Sequence, residues 1–169
     1  MALTITTAIC DSFKKEILQG LHLFKATGGN TFKMLLLKAA ASGSGTYGAG
    51  ITNVGTPGSG APSTSNVGTD EATDTSGNSQ YTAGGFTMTP NADPALDTTN
   101  HVAYIDWTTD PNWGTAATIT SRGAVLYNST GSGLAVACFD FGADKTSTTG
   151  TFTVTLPAPA YNTGLLRIS

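Results

Sequence analysis

The sequence predicts a mainly β fold, an antiparallel β-sandwich of jelly-roll type that forms one domain over residues 1–169. Short stretches of strand-forming residues recur along the chain between Gly, Asn and Pro turns. Helical spacing occurs in one short stretch near the N-terminus. Polar character comes mainly from Thr, Ser, Gly and Asn, since charged residues make up only 11% of the chain. A chain of 169 residues can bury a full core without disulfides or a metal.

The predicted helix lies within residues 10–24, CDSFKKEILQGLHLF, where apolar residues recur at helical spacing. Asp11 or Ser12 suits its N-cap, because a short side-chain oxygen can accept a hydrogen bond from the first turn. Gly20 is a natural stop signal, which limits the helix to a few turns.

The predicted strands begin after a Gly-Gly-Asn turn. Residues 31–40, TFKMLLLKAA, are Leu-rich and bounded by turn residues, which predicts a strand buried on both faces. Further strands are expected within 81–90 and 100–110. Another is expected within 114–130, with a break or bulge at Gly123.

The C-terminal third has the clearest strand pattern. Gly, Ser and Gly at 131–133 predict a hairpin turn before a return strand at 134–141. The stretch 142–150 is expected to be a loop. Residues 151–158, TFTVTLPA, alternate apolar and Thr positions, which indicates one buried and one exposed face, and 164–169 form a final strand.

A long segment between the first and second predicted strands consists almost entirely of Gly, Ser, Thr, Ala, Asn and Pro. This segment, residues 42–80, has too little apolar area to offset its own ordering entropy, so it is predicted to be an extended loop or arm. Neighbouring subunits are the expected partners that hold it. The alternative is a single chain that packs one long loop against itself. The arm interpretation predicts that deletion of residues 43–66 leaves the domain folded.

Charge and hydropathy limit the partners of the chain. Its net charge is −3 and its pI is about 5.1, with only eight Lys and Arg residues, so a basic stripe for direct nucleic-acid binding is absent from the sequence. The N-terminal residues lack the pattern of an export signal, and no apolar run reaches the roughly 18 residues that span a membrane. We therefore expect synthesis in a cytoplasm and no membrane partner. A low-charge surface suits contacts with other proteins, and the alternative is a merely Thr-rich extracellular β-protein.

Motifs that carry cofactor or metal chemistry are weak. GSGTYG at 43–48 matches G-x-G-x-x-G, but the residues after it cannot begin the helix that a dinucleotide site requires. His22 and His101 lack the spacing of a zinc site. Cys138 lies in an apolar strand and resembles a core residue, while a disulfide with Cys10 stays open. The sequence thus predicts no enzyme and no cofactor or metal.

Acidic and aromatic residues cluster around one segment. Its carboxylates could bind calcium, although they equally suit turns and caps; they are Asp93, Asp97, Asp106 and Asp110. The two Trp residues could stack on sugar rings, but a core or interface role is the stronger expectation. The candidate interface residues are Tyr47, Ile51, Val54, Trp107 and Trp113.

Several stretches together resemble the small virion proteins of tailed bacteriophages. The similarity covers most of the chain outside 42–80, and the last fifty or so residues, from RGAVLYN to GTFTVT, are its most specific part. The similar stretches are SFKKEILQGLHLF, TFKMLLLKAA, YTAGGFTMT, AYIDW, TSRGAVLYNST, LAVACFDFGADKTSTTGTFTVTLPA and LLRIS.

The resemblance implies a non-enzymatic structural protein of the virion. A capsid decoration, or cement, protein is expected to bind the major capsid protein and copies of itself, and to stabilise the shell by multivalent contacts. The alternative within this family is a tail, neck or fibre-associated protein that binds a host glycan through Trp107 or Trp113. Outside it, a stand-alone carbohydrate-binding module is the remaining alternative. The resemblance brings no catalytic residues.

Overall fold

The chain is built mainly of β-strands, with one α-helix and several antiparallel sheets. Its structure is a computed structural model, which describes residues 1–88, 90, 92–105, 107 and 109–169. The helix α1 spans Asp11–Leu18. The strands are β1 (Thr4–Ile5), β2 (Ala8–Ile9), β3 (Phe32–Lys38), β4 (Thr46–Tyr47), β5 (Phe86–Met88), β6 (Ala95–Asp97), β7 (Val102–Ile105), β8 (Asn112–Ala117), β9 (Thr120–Asn128), β10 (Leu134–Thr146), β11 (Gly150–Thr153) and β12 (Leu166–Ile168).

The largest sheet has the strand order β2-β10-β9-β3-β5, and all its neighbours are antiparallel. Strands β3 and β9 occupy its interior, in a register that pairs Leu35 with Val125. Residues 35–37 are fully buried, as expected of a strand that is covered on both faces. The predicted Leu-rich central strand is confirmed.

Three smaller sheets surround this one: β12-β7-β6 and β11-β8 are antiparallel, and β1-β4 is parallel. Aromatic side chains connect them to the main sheet. Trp107, just after β7, packs edge-on against Phe32 of β3 at a ring-centroid distance of 5.8 Å. Trp113 of β8 meets Phe86 of β5 at 6.1 Å and Phe152 of β11 at 6.0 Å. The aromatic residues therefore lie at the centre of the core.

The helix is confirmed, but it is shorter than its apolar pattern, and its predicted cap is wrong. Cys10 occupies the N-cap position, and its side chain makes no capping hydrogen bond. Asp11 and Ser12 lie inside the first turn. Gly20 has a φ of 72°, the left-handed conformation that ends helices, so the stop signal is confirmed.

The predicted irregularity at Gly123 is a β-bulge. Both neighbours of β9 shift register between Gly123 and Ser121, so the strand bends without breaking there. The break lies instead at residues 118–119, between β8 and β9. The predicted loop at 142–150 is partly wrong, because β10 continues to Thr146 and pairs that residue with Thr120 of β9.

The segment 42–80 lies against the chain's own strands. Strand β4 within it pairs with β1. The Val54 N–H donates to the Gly133 carbonyl at 2.9 Å, and the Ala72 N–H donates to the Leu36 carbonyl at 2.8 Å. These contacts correspond to the self-packed alternative, since the chain itself supplies partners that we expected from a neighbouring subunit.

Candidate interaction surface

A small apolar groove runs between α1 and β2 on one side and β7 and β12 on the other. Helix α1 directs Phe13 and Ile17 toward it, because these residues lie one turn apart on the inner helical face. The groove encloses about 100 Å³. Its lining residues are Ile9, Phe13, Ile17, Phe24, Pro94, Ala103, Tyr104, Ile105, Leu166, Arg167 and Ile168.

Exposed apolar side chains occur on the elements that form or flank this groove. Leu18, 89% exposed, follows Ile17 on the helix, and Ile168, 59% exposed, lies on β12. Leu96, 66% exposed, is on β6 and pairs with Ala103 of the groove wall. Ile168 itself lines the groove, and exposed apolar surface at a groove is typical of binding sites.

The backbone around the groove adds unpaired strand edges. Strand β2 is an edge of the main sheet, and β12 is an edge of the three-stranded sheet. Edge strands carry free N–H and C=O groups, so they can pair with another chain. The charged side chain in the lining, Arg167, donates to the Tyr161 carbonyl at 3.2 Å. The surface therefore suits a partner that is apolar and uncharged.

The five candidate interface residues all lie in the interior of the chain. Tyr47, Ile51 and Val54 are fully buried, and Trp107 and Trp113 are nearly so. Their apolar character is used in the chain's own core, so a partner cannot reach these side chains in the folded protein. The core alternative for the two Trp residues is confirmed, and the groove replaces all five as the candidate contact surface.

Tyr47 belongs to a buried polar cluster that orders the Gly- and Ser-rich segment. The Asp70 carboxylate accepts hydrogen bonds from the N–H groups of Ser44 and Gly45 at 3.1 and 2.6 Å and from the Tyr47 hydroxyl at 2.9 Å. Burial, together with the hydrogen bond to Asp70, raises the pKa of the Tyr47 hydroxyl. Both side chains are buried, so this hydrogen bond joins β4 to the later part of the segment.

A second buried carboxylate explains the YTAGG stretch. Glu71 accepts from the Tyr81 hydroxyl at 3.0 Å and from the Gly84 N–H at 2.6 Å. The Tyr127 hydroxyl donates to the Gly84 carbonyl at 2.7 Å. Burial raises the pKa of Glu71 despite these hydrogen bonds. The cluster fastens the turn before β5 to β3 and β9.

Glu16, His22 and Asn128 form a chain of hydrogen bonds that resembles an acid–base arrangement. His22 Nε2 lies 2.8 Å from Glu16 Oε2, and its Nδ1 lies 3.2 Å from Asn128 Nδ2. Asn128 Nδ2 also donates to the Leu21 carbonyl at 3.1 Å and to Asn30 Oδ1 at 3.0 Å, so the cluster connects several parts of the chain. The His22 side chain is fully buried, and none of the three residues lines the groove. The arrangement therefore anchors the segment after α1 and has no access to a substrate.

The acidic residues near the Trp segment act separately. Asp93 accepts from the Ala26 N–H at 3.0 Å, and Asp110 accepts from the Leu156 N–H at 2.8 Å. Asp97 caps a local turn. Asp106 lies outside the described residues. Within the described ranges, no group of three or more His, Cys, Asp or Glu residues could hold a metal ion.

The glycine-rich motif at 43–48 also lacks a ligand-binding geometry. It leads into β4 instead of a helix, so it does not form the phosphate-binding turn of a dinucleotide site. His22 and His101 are not brought together, since His22 is buried beside Glu16 and His101 lies in the turn before β7. In the described part of the chain, no helix combines the length and apolar character needed to cross a bilayer.

Sequence reasoning missed the groove and the His22 cluster. The signal for the groove was present in part, because the helical spacing of Phe13 and Ile17 marks the face that lines it. The His22 cluster had no local signal, since Asn128 lies in a different strand. Comparison with known proteins finds no matching family model, no similar curated protein and no similar solved structure.

Proposed function

We propose that the chain is a non-enzymatic structural protein of a bacteriophage virion, most specifically a capsid decoration protein that binds the outer shell and stabilises contacts between major capsid proteins. The observation that carries this proposal is the exposed apolar groove with its flanking edge strands. The resemblance of several stretches to small virion proteins motivates the same proposal. In this proposal the protein is made in the host cytoplasm and resides in the virion.

The groove provides a mechanism for attachment that needs few charges. A capsid segment that places an apolar side chain between α1 and β12 would bury Leu18 and Ile168, which are now exposed. Burial of apolar area stabilises a contact by about 25 cal/mol per Å², so one small site binds weakly. Many copies on one shell, with contacts between copies, turn weak sites into firm attachment.

The framework suits this role if its sheets form a sandwich of jelly-roll type. The main sheet and the smaller sheets share the aromatic contacts of Phe32, Trp107 and Trp113, which supports two layers around one core. A rigid framework keeps the groove preorganised, so little entropy is lost on docking.

A tail, neck or fibre location is the alternative, and copy number separates the two. Quantitative mass spectrometry of purified particles would compare this chain with the major capsid protein. A ratio near one, or a simple fraction of it, supports the decoration role. A few copies per hundred capsid proteins would favour the tail, where glycan binding would need a surface other than the buried Trp107 and Trp113. Absence from particles would contradict both locations.

The groove itself is tested by a charge placed at its rim. Leu96→Asp should reduce occupancy on particles, because a carboxylate at a desolvated contact is costly. Thr155→Asp is the matched control, since Thr155 is exposed, lies outside the groove and uses no side-chain hydrogen bond that the structure shows. Both variants should keep the wild-type Tm. Equal occupancy of the two variants would contradict the groove as the attachment site.

A further inference from the structure

Two thiols meet in the interior below one carbonyl oxygen. Cys10 follows β2, and its N–H donates to the Val136 carbonyl of β10 at 2.9 Å. Cys138 lies two residues further along β10, so both side chains point to the same face of the sheet. Their Sγ atoms lie 3.9 and 3.7 Å from the Gly48 carbonyl oxygen.

Both thiols approach the same carbonyl oxygen, and both residues are fully buried. They are the two cysteines of the sequence, and both are free thiols. Two small apolar residues would fill this space equally well, whereas two adjacent thiols can also be joined covalently.

We propose that Cys10 and Cys138 form a disulfide when the protein meets a low-molecular-weight disulfide of the oxidised glutathione type, and that this bond fastens the N-terminal segment to β10. The proposal goes beyond the function proposed above and does not depend on it.

The reaction is a thiol–disulfide exchange in two steps. The Cys10 thiolate attacks one sulfur of the small disulfide, which forms a mixed disulfide and releases one small thiolate. The Cys138 thiolate then attacks Cys10 Sγ and releases the second small thiol. The protein pair loses two electrons and two protons, and one small disulfide is reduced to two thiols.

Cys10 is the better first nucleophile of the pair. The hydrogen bond from Cys138 lowers the pKa of the Cys10 thiol, whereas that hydrogen bond and burial raise the pKa of the Cys138 thiol. Access requires local opening of the N-terminal segment. This opening separates β2 from β10 and breaks the hydrogen bonds that the Cys10 and Asp11 N–H groups donate to the Val136 and Ala49 carbonyls.

The bond would add a covalent link between three parts of the molecule that hydrogen bonds already connect. The N-terminal segment pairs with β4 through β1 and with β10 through β2. Gly48 lies directly after β4, so the thiol pair connects the N-terminus, the Gly- and Ser-rich segment and the main sheet. A crosslink that closes a loop over most of the chain removes much unfolded-state entropy.

The test equilibrates the full chain with oxidised and reduced glutathione in two procedures. In the first the protein stays folded in native buffer, and in the second it is equilibrated in urea and then refolded. Intact mass spectrometry should show a loss of about 2 Da, for the two hydrogen atoms, and tryptic mapping should find Cys10 joined to Cys138. The effective concentration of the pair should be at least about tenfold higher in native buffer than in urea, because the fold holds the thiols together.

Stability gives a second measurement. Oxidation should raise the Tm of the wild type by about 5 °C or more, while Cys10→Ala and Cys138→Ala show no oxidant-dependent shift. Glutathione adducts on separate cysteines, disulfide-linked dimers, or an equal effective concentration in buffer and urea would each overturn the proposal. So would two thiols that stay reduced in both procedures.

Discussion

Single residues fix the turns of this chain, and two glycines with positive φ show how. Gly85, before β5, has a φ of 77°, and an added Cβ would lie 2.5 Å from the Leu35 Cα and would also collide with the Met34 carbonyl. Gly77 has a similar φ of 81°, but an added Cβ there would meet no atom within 4 Å. The two positions therefore separate backbone strain from steric collision.

Gly77→Ala should lower the free energy of unfolding by about 1–2 kcal/mol, the cost of a left-handed non-glycine residue. Gly85→Ala should cost about 1–3 kcal/mol more, because the new methyl group displaces the backbone of β3. Urea denaturation of both variants measures the difference. Equal losses would show that β3 and the turn before β5 separate without cost.

Asp74 is a second residue whose role is local and testable. Its carboxylate accepts four hydrogen bonds, from the Thr118 N–H, the Gln80 N–H, and the N–H and hydroxyl of Ser76, at 2.8–2.9 Å. These donors hold the pKa of Asp74 well below its usual range, and the Thr118 N–H has the largest effect. The ionised carboxylate thus joins the end of the long segment to the connection between β8 and β9.

Asp74→Asn should lower the Tm at pH 7, because an amide has one acceptor oxygen in place of two. Because its pKa is depressed in the folded state, the ionised Asp74 carboxylate stabilises the fold fully at pH values above the unfolded-state pKa of about 3.9. This stabilisation is lost as the pH falls toward the folded-state pKa. The Tm difference between wild type and variant should therefore narrow progressively below about pH 5. Asp97→Asn is the control, since Asp97 bonds only within its own turn. A Tm difference for Asp74→Asn that is independent of pH would contradict this role.

At the scale of elements, the Gly- and Ser-rich segment is a packed part of the core and not an arm. It buries Tyr47, Ile51, Val54 and Val67, and its backbone bonds to β3 and to the residues around the start of β10. Deletion of 43–66 would remove Tyr47, Ile51 and Val54 together. We therefore expect the deletion to destabilise the fold, in contrast to the arm interpretation.

Ile51→Ala tests this packing with a small change. The side chain is fully buried, so its truncation should lower the free energy of unfolding by about 2–5 kcal/mol. Leu18→Ala, at an exposed position, should change it by less than about 0.5 kcal/mol. Chemical denaturation measures both. A loss below about 1 kcal/mol for Ile51→Ala would mean that the segment is only loosely attached.

At the scale of the whole molecule, low charge and an apolar groove determine how the proposed contact responds to salt. The net charge is −3, and the groove contains one charged lining residue, Arg167, which is already bonded to a carbonyl. The proposed attachment therefore depends on apolar burial and backbone pairing more than on ion pairs.

Occupancy on particles should change little when the salt concentration rises from about 0.05 M to about 0.5 M, because salt in this range screens exposed charges without weakening apolar contacts. Sedimentation of particles with the bound chain measures occupancy across the series. A steep loss of bound chain with salt would indicate an ionic interface and would place the contact outside the groove.

The sequence by itself determined the features that depend on local pattern. The Leu-rich β3, the hairpin before β10 and the stop at Gly20 all follow from periodicity and turn chemistry over a few residues. The alternating stretch 151–158 is a strand only in its first part, since β11 ends at Thr153. Only the tertiary structure decided where the long polar segment lies, that Trp107 and Trp113 are buried, and that Asn128 meets His22. These outcomes depend on contacts between distant positions, whose free energies exist only once the sheets have assembled.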